Sequence, residues 1–270
     1  MLKHRYRNVI VLSACVNPSG MSFTVLQDID KRRKQYIEAL SFYLETTTAP
    51  VVFIENSGHD FSNLFEKFIT NGRLEYITIN DNTSFDRIKG KGYGEARMLL
   101  YAIDKSSFIK QAKYITKITG RLIVQNIHSI IGSKVLLFDN IIRCNVDDNF
   151  LSTTVICAPP NAFYTMLNRH LEEISELDRG NNWIENVLAR SFVVDQDINV
   201  FLFPFFAPPL FDAFSGTSNS LYQIKDTFTN ASDNLAIGAA MCKLRGAIFN
   251  SSLLRTLYYV MIVLRKIKVV

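Results

Sequence analysis

Four short segments of this chain carry side chains with chemical potential. Ile54-Glu55-Asn56-Ser57-Gly58 joins a carboxylate to an amide. That pair can accept from and donate to a base edge or a ribose hydroxyl. Lys89-Gly-Lys91-Gly92-Tyr-Gly-Glu95 sets three glycines and two lysines ahead of an apolar stretch. Glycines let the backbone approach a ligand, and a helix N-terminus favours an anion. Lys117-Ile-Thr119-Gly-Arg121 brings two cations and a hydroxyl together, a set suited to a diphosphate. Asn181-Asn-Trp-Ile-Glu185-Asn186 places a carboxylate beside the only tryptophan, as a general base would need. Each also has a plainer reading: a turn, a connector, surface cations, and a dipole-matching acid in a first helical turn.

These residues need elements to hold them. The run 8–15 is short, apolar and β-branched, and reads as a buried strand. Residues 31–45 repeat Tyr36, Ile37, Leu40, Tyr43 and Leu44 on one helical face. Strands are expected at 50–54, at 74–79 and within 114–124, the last interrupted by Thr119-Gly-Arg121, with helices over 61–70 and from Ala96 to about Phe108. Alternation of this kind specifies a parallel α/β sheet with right-handed crossovers. Ligands of such sheets sit at the carboxyl ends of the strands. That rule selects the loops 13–20, 55–60, 80–95 and 117–121, and adds Ser13 and Asn17 to the candidates. Further on, 134–138, 141–144 and 153–158 read as strands, with antiparallel pairing expected among them. Helices are expected over 160–175 and 183–192, the latter capped by Asn181 or Asn182. The run 200–206 is very apolar, and Ser215-Gly-Thr217-Ser218 is turn-forming and rich in hydroxyls that could close over phosphates.

Composition narrows the class. The chain has 270 residues, 48% hydrophobic and 20% charged, with 12 glycines and 7 prolines. That excludes a disordered or collagen-like chain and allows one large domain. Four widely spaced cysteines and four histidines show no metal-ligand spacing, and reduced thiols fit a cytoplasmic protein. The formal charge is +5, but six of the 30 basic residues and no acidic one lie in 235–270. The body is therefore near neutral, which argues against a nucleic-acid partner. Neither GxxxxGK[ST], nor GxGxxG after a first strand, nor GxSxG occurs.

In order and spacing, the segments at 55–58, 89–95, 117–121 and 184–186, with the basic helix start Arg32-Arg-Lys-Gln-Tyr36, resemble a GT-A glycosyltransferase. More narrowly they resemble bacterial glycosyltransferases encoded with capsule and lipopolysaccharide assembly genes. The resemblance spans about residues 8–190. It implies an α/β, GT-A-like, Rossmann-type fold: a mostly parallel sheet flanked by helices. A nucleotide-binding half (8–127) and an acceptor half (128–234) would form one domain, followed by a helical tail (235–270). It implies a nucleotide-sugar donor and a saccharide or lipid-linked acceptor. Ser13, Asn17, Glu55, Asn56, Lys91, Gly92, Glu95, Lys117, Thr119, Arg121, Ser215 and Thr217 would contact the donor. Glu185 would be the base, although Glu185-Asn186 stands where Glu-Asp is usual.

Where that family carries Asp-x-Asp for a divalent ion, this chain reads Ile118-Thr-Gly-Arg121. Arginine cannot ligate a metal. Transfer is thus expected to need no cofactor, with Lys117, Arg121 and Lys91 neutralising the leaving phosphate. The alternative is an Mg or Mn ion recruited by Asp147 and Asp148. The tail segment 251–270 mixes apolar residues with Arg255, Arg265, Lys266 and Lys268. Its longest uncharged run is far short of a bilayer span, so it suits a helix on an anionic membrane surface, at the inner face of the cell membrane, or a helix docked on the body. Two rivals stand beside this reading. A sugar nucleotidyltransferase would need acidic metal ligands and a basic nucleotide-triphosphate loop near the N-terminus, and Ser13–Gly20 has no basic residue. A non-catalytic membrane-associated scaffold would keep the fold and bind no nucleotide.

Overall fold

In a computed structural model, strand β1 (Tyr6–Ala14) leads to helix α1 (Ile29–Thr46), β2 (Val51–Glu55), a 3-10 turn (Ser62–Phe65), α2 (Glu66–Thr70) and β3 (Leu74–Thr78). The chain continues through α3 (Gly90–Lys105), α4 (Ser107–Lys110), β4 (Ala112–Thr119), α5 (Ile127–Ile131), β5 (Ile141–Asp147) and β6 (Phe150–Ala158). It closes with α6 (Pro160–Arg169), a 3-10 turn (Leu171–Glu173), α7 (Ile184–Val194) and β7 (Phe201–Phe203). The residues described are 4–211, without 20, 22–23, 82, 133–140, 148–149, 178–181, 196, 199, 204 and 206–208. The expected strand at 134–138, Asp148, Ser215, Thr217 and the tail from 235 lie outside them.

Among the described residues one seven-stranded sheet runs β3-β2-β1-β4-β6-β5-β7. The pairs β3–β2, β2–β1 and β1–β4 are parallel. β6 lies antiparallel between β4 and β5, as its position after a hairpin requires, and β7 is parallel to β5. The expected α/β class, mostly parallel and flanked by helices, is what the chain forms. β1 is buried from Asn8 on and apolar from Val9 to Leu12 because both faces are covered there. Val9 and Val11 face a core that includes Leu99, Phe163 and Leu188, while Ile10 and Leu12 face Leu40, Tyr43 and Phe53. α1 buries Tyr36, Leu40, Tyr43 and Leu44, and Asp28 caps it by accepting from the Lys31 amide at 2.9 Å.

Several expected boundaries move, each for a local reason. The helix expected over 61–70 splits into a 3-10 turn and one short helix. α3 begins at Gly90, so the glycine-rich segment is its first turns rather than a connector before it. It ends at Lys105 because Ser106 turns extended and caps α4 instead, accepting from the Ile109 amide. β4 ends at Thr119, where the Gly120 amide turns to the Ser13 carbonyl (2.8 Å). α6 stops at Arg169, short of Ser175. α7 starts after Trp183, whose side chain makes no capping bond, and not after Asn181 or Asn182.

Candidate functional site

The chain leaves β1 outward to β2 and β3, then crosses back to β4 on the other side. The carboxyl ends of β1 and β4 therefore flank the switch point, where open α/β sheets hold ligands. A cavity of about 350 Å³ lies there. Ser13, Asn56, Lys91, Gly92, Glu95, Thr119, Arg121 and Glu185, all picked from sequence, line it. Glu176 and Trp183 complete one wall.

The approach of β1 to the turn after β4 sets this geometry. A Cβ built on Gly120 would stand 2.6 Å from the Ser13 carbonyl oxygen. Only glycine fits, and its fit lets Arg121 follow directly into the cavity. Beneath, the Lys117 ammonium is fully buried and bonds the Glu95 carboxylate (2.7 Å) and the Thr153 carbonyl (2.5 Å). Ser13 donates to Glu95 as well (2.7 Å). Burial pushes the Glu95 pKa up, but Lys117 and Ser13 outweigh it and hold the carboxyl below the usual range. The expected contact of Lys117 with a diphosphate is therefore corrected: its charge is spent inside the floor of the cavity. The Thr153 hydroxyl donates to Glu185 Oε1 (2.6 Å), so the same floor orients the candidate base.

Glu55 is also corrected. It is 0% exposed, and its carboxylate faces the protein's own amides. It accepts from Val16 (2.9 Å), Ser57 (3.0 Å) and His59 (2.9 Å), and from the Ser57 hydroxyl. It clasps the loop after β2 to the loop after β1 and leaves no oxygen for a ribose. Asn17 belongs to the same clasp, its backbone N–H donating to Ser57 Oγ at 2.9 Å, and it does not line the cavity. Asn56 stays in the wall, 3% exposed, with its Oδ1 unbonded. Cys15 also lines the cavity, but burial pushes its thiol up to about 12, which leaves no thiolate nucleophile at neutral pH.

Arg87 and Glu176 escaped the sequence, and Arg32 was marked there only as part of a basic helix start. Arg32 and Arg87 reach the loop after β1 from elsewhere in the chain. Arg32 donates to the Cys15 carbonyl (2.6 Å) and Arg87 to the Pro18 carbonyl (2.7 Å). Glu176 lies in a turn after the 3-10 segment, and nothing in its sequence neighbourhood marks it. It is 8% exposed and faces the head of α3. Burial raises its pKa against the pull of Lys91 and the amides of Gly92 and Lys91, and Glu185 raises it further.

The residues at the metal position do not suit a divalent ion. Arg121 and the Lys117–Glu95 pair occupy it, and no cluster of three His, Cys, Asp or Glu suited to a metal forms among the described residues. Asp147 ends β5. Among the described residues, no helix is long and apolar enough to cross a membrane.

No family model and no curated protein matches this chain. Among solved structures it is similar to the inositol-1-phosphate CTP transferase from T. maritima, at 13% identity and TM-score 0.42 over 74% of this chain and 86% of that one. It is also similar to 4-diphosphocytidyl-2C-methyl-D-erythritol synthase from Anaerococcus prevotii, at 11% identity and TM-score 0.39 over 85% and 96%. A cytidylyltransferase from Leptospira borgpetersenii overlaps at 13% identity and TM-score 0.39 over 74% and 76%. At such scores the overlap assigns no substrate, and the chemistry has to be read from this chain's own side chains.

Proposed function

We propose that this protein is a transferase that binds a nucleotide-sugar in the switch-point cavity and moves its sugar to a hydroxyl acceptor. The observation that carries this is the two-sided lining of the cavity. Lys91 and Arg121 line the cavity and would hold a departing diphosphate, and Glu185 lines it from the first turn of α7. Asn56 Oδ1, buried and unbonded, suits a hydrogen-bond donor of the nucleoside. In the reaction the acceptor oxygen attacks the anomeric carbon and its proton passes to Glu185. The bond from that carbon to the phosphate oxygen breaks, and the nucleoside diphosphate leaves with its charge held by the two cations. A saccharide acceptor of bacterial surface polysaccharide, met at a membrane through residues 251–270, remains part of this proposal and rests on the resemblance alone.

A second reading has its own observation. A nucleotidyltransferase needs cations at the loop after β1, which has no basic residue of its own; Arg32 lines the cavity beside that loop, and Arg87 donates to its Pro18 carbonyl. The two readings release different products. The protein is screened by thermal shift against nucleotide-sugars and nucleoside triphosphates, since a ligand of the native state raises the melt. The ligands that bind are then incubated with acceptor saccharides or with sugar phosphates. Release of nucleoside diphosphate supports glycosyl transfer. Release of pyrophosphate from a triphosphate replaces it with nucleotidyl transfer. No shift with any nucleotide overturns both.

A further inference from the structure

Glu176 is in an unusual position for a carboxyl group. It is more than nine-tenths buried, at 8% exposure, and its Oε2 has no hydrogen-bond partner. Its Oε1 accepts from the Gly92 amide at 3.4 Å, well beyond the ordinary N–H···O length. The Lys91 amide also bonds the carboxyl group, and the Lys91 charge acts on it. Oε2 rests against Gly90, where a built Cβ would lie 2.3 Å away. The acid therefore sits on the head of α3, a helix of 16 residues, over amides that have no partner within the helix. A carboxylate brought there by a distant turn is held by the amides of Lys91 and, at long range, Gly92, while its second oxygen is buried without a partner. Leaving such an oxygen unbonded forfeits its hydration with nothing in return. Burial and the nearby Glu185 both favour its protonated form, so the contact is electrostatically poor as well.

These amides and the Lys91 ammonium are the donor set that binds a phosphoryl group at a helix head. A tetrahedral anion would satisfy them with several oxygens at once. We propose that the head of α3 is the seat of a phosphoryl group, and that the Glu176 carboxyl group occupies this seat until a phosphorylated ligand displaces it. The inference rests on the nucleotide reading above, which it deepens by naming where the diphosphate lands and what must leave. Gly90 serves the same purpose, since a side chain there would exclude both occupants.

The test is calorimetric titration of the full chain with inorganic pyrophosphate, in wild type, Glu176→Gln and Glu176→Ala. Removing a like charge beside a bound anion is expected to tighten binding roughly tenfold in Glu176→Gln. Glu176→Ala, which also empties the seat, should tighten it at least as much. Glu176→Gln keeps the side-chain volume, so it reports even if the alanine variant folds poorly. Binding equal to or weaker than wild type in cooperatively melting variants overturns the proposal, as does no pyrophosphate binding in any of the three. Nucleotide binding that ignores both substitutions also overturns the seat while leaving the nucleotide site standing. Pyrophosphate tightened without any nucleotide bound keeps the seat and removes the nucleotide reading.

Discussion

At Arg121, charge reaches the cavity because the backbone before it cannot be crowded. Gly120 lies against the Ser13 carbonyl, and the guanidinium follows at the end of β4. Lys117, two residues inside the strand, points instead into the Glu95 pair. Substitution separates these roles. Arg121→Ala removes a charge-assisted contact worth about 1.5–3 kcal/mol, so the Kd for a nucleoside diphosphate should rise roughly 10- to 100-fold. An unchanged Kd would take Arg121 off the ligand. Glu185→Gln keeps the bond from Thr153 but cannot accept a proton. It should lower kcat by about 10²–10⁴ and leave donor affinity near wild type. A variant that turns over at the wild-type rate would remove Glu185 as the base. The same contrast explains what sequence could and could not reveal here. An acid at a strand end is legible at Glu55, but whether a ligand or the chain's own amides take it depends on the loop after β1, which comes forty residues earlier.

The elements were more legible than their ends. Apolar periodicity located β1, α1, β2, β3 and the body of α3, because each buries a continuous stripe or strand. The start of α3 was not legible, since glycines carry no stripe. They belong to the helix because neighbours leave no room for side chains: Gly94 faces Phe85, and Gly90 faces Glu176. Glu176 was hidden for the same reason, as its partner on α3 lies 84 residues away. Gly90 has φ 82° and ψ −176°, a region open essentially to glycine alone. Gly90→Ala should therefore cost about 3 kcal/mol, the upper end for such a backbone, because its Cβ also meets the Glu176 carboxyl group. Denaturant midpoints measure this. Adding Glu176→Ala should restore part of the loss by removing the overlap. If the double variant is no more stable than Gly90→Ala, the overlap contributes nothing and the backbone alone accounts for the cost.

Across the whole molecule the cavity joins unlike halves. The parallel half supplies the cations on α3 and after β4, and the second half supplies Glu176 and Glu185. The fit between them depends on how α6 and α7 are tied together at their far ends. His170, just after α6, bonds Glu173 through Nδ1 (2.7 Å) and Asp195, just after α7, through Nε2 (2.9 Å). Arg169 holds Asp195 and Asp197, and Arg190 lies 3.7 Å from Glu173. Burial opposes the imidazolium, but Glu173 and Asp195 outweigh it and raise the His170 pKa above its ordinary value of 6.5. The folded protein therefore holds this proton more tightly than the unfolded chain does. The stability it contributes is complete below the unfolded value and is lost as pH rises through the higher folded one. Chemical denaturation of wild type and His170→Gln from pH 5.5 to 9 reads the effect directly. The wild type should exceed the variant most at the acidic end, with the gap narrowing once pH passes the folded pKa. A gap that stays constant across the range would mean that His170 holds the two helices as a neutral hydrogen-bonding group, and that the joint beneath the acidic wall is indifferent to pH.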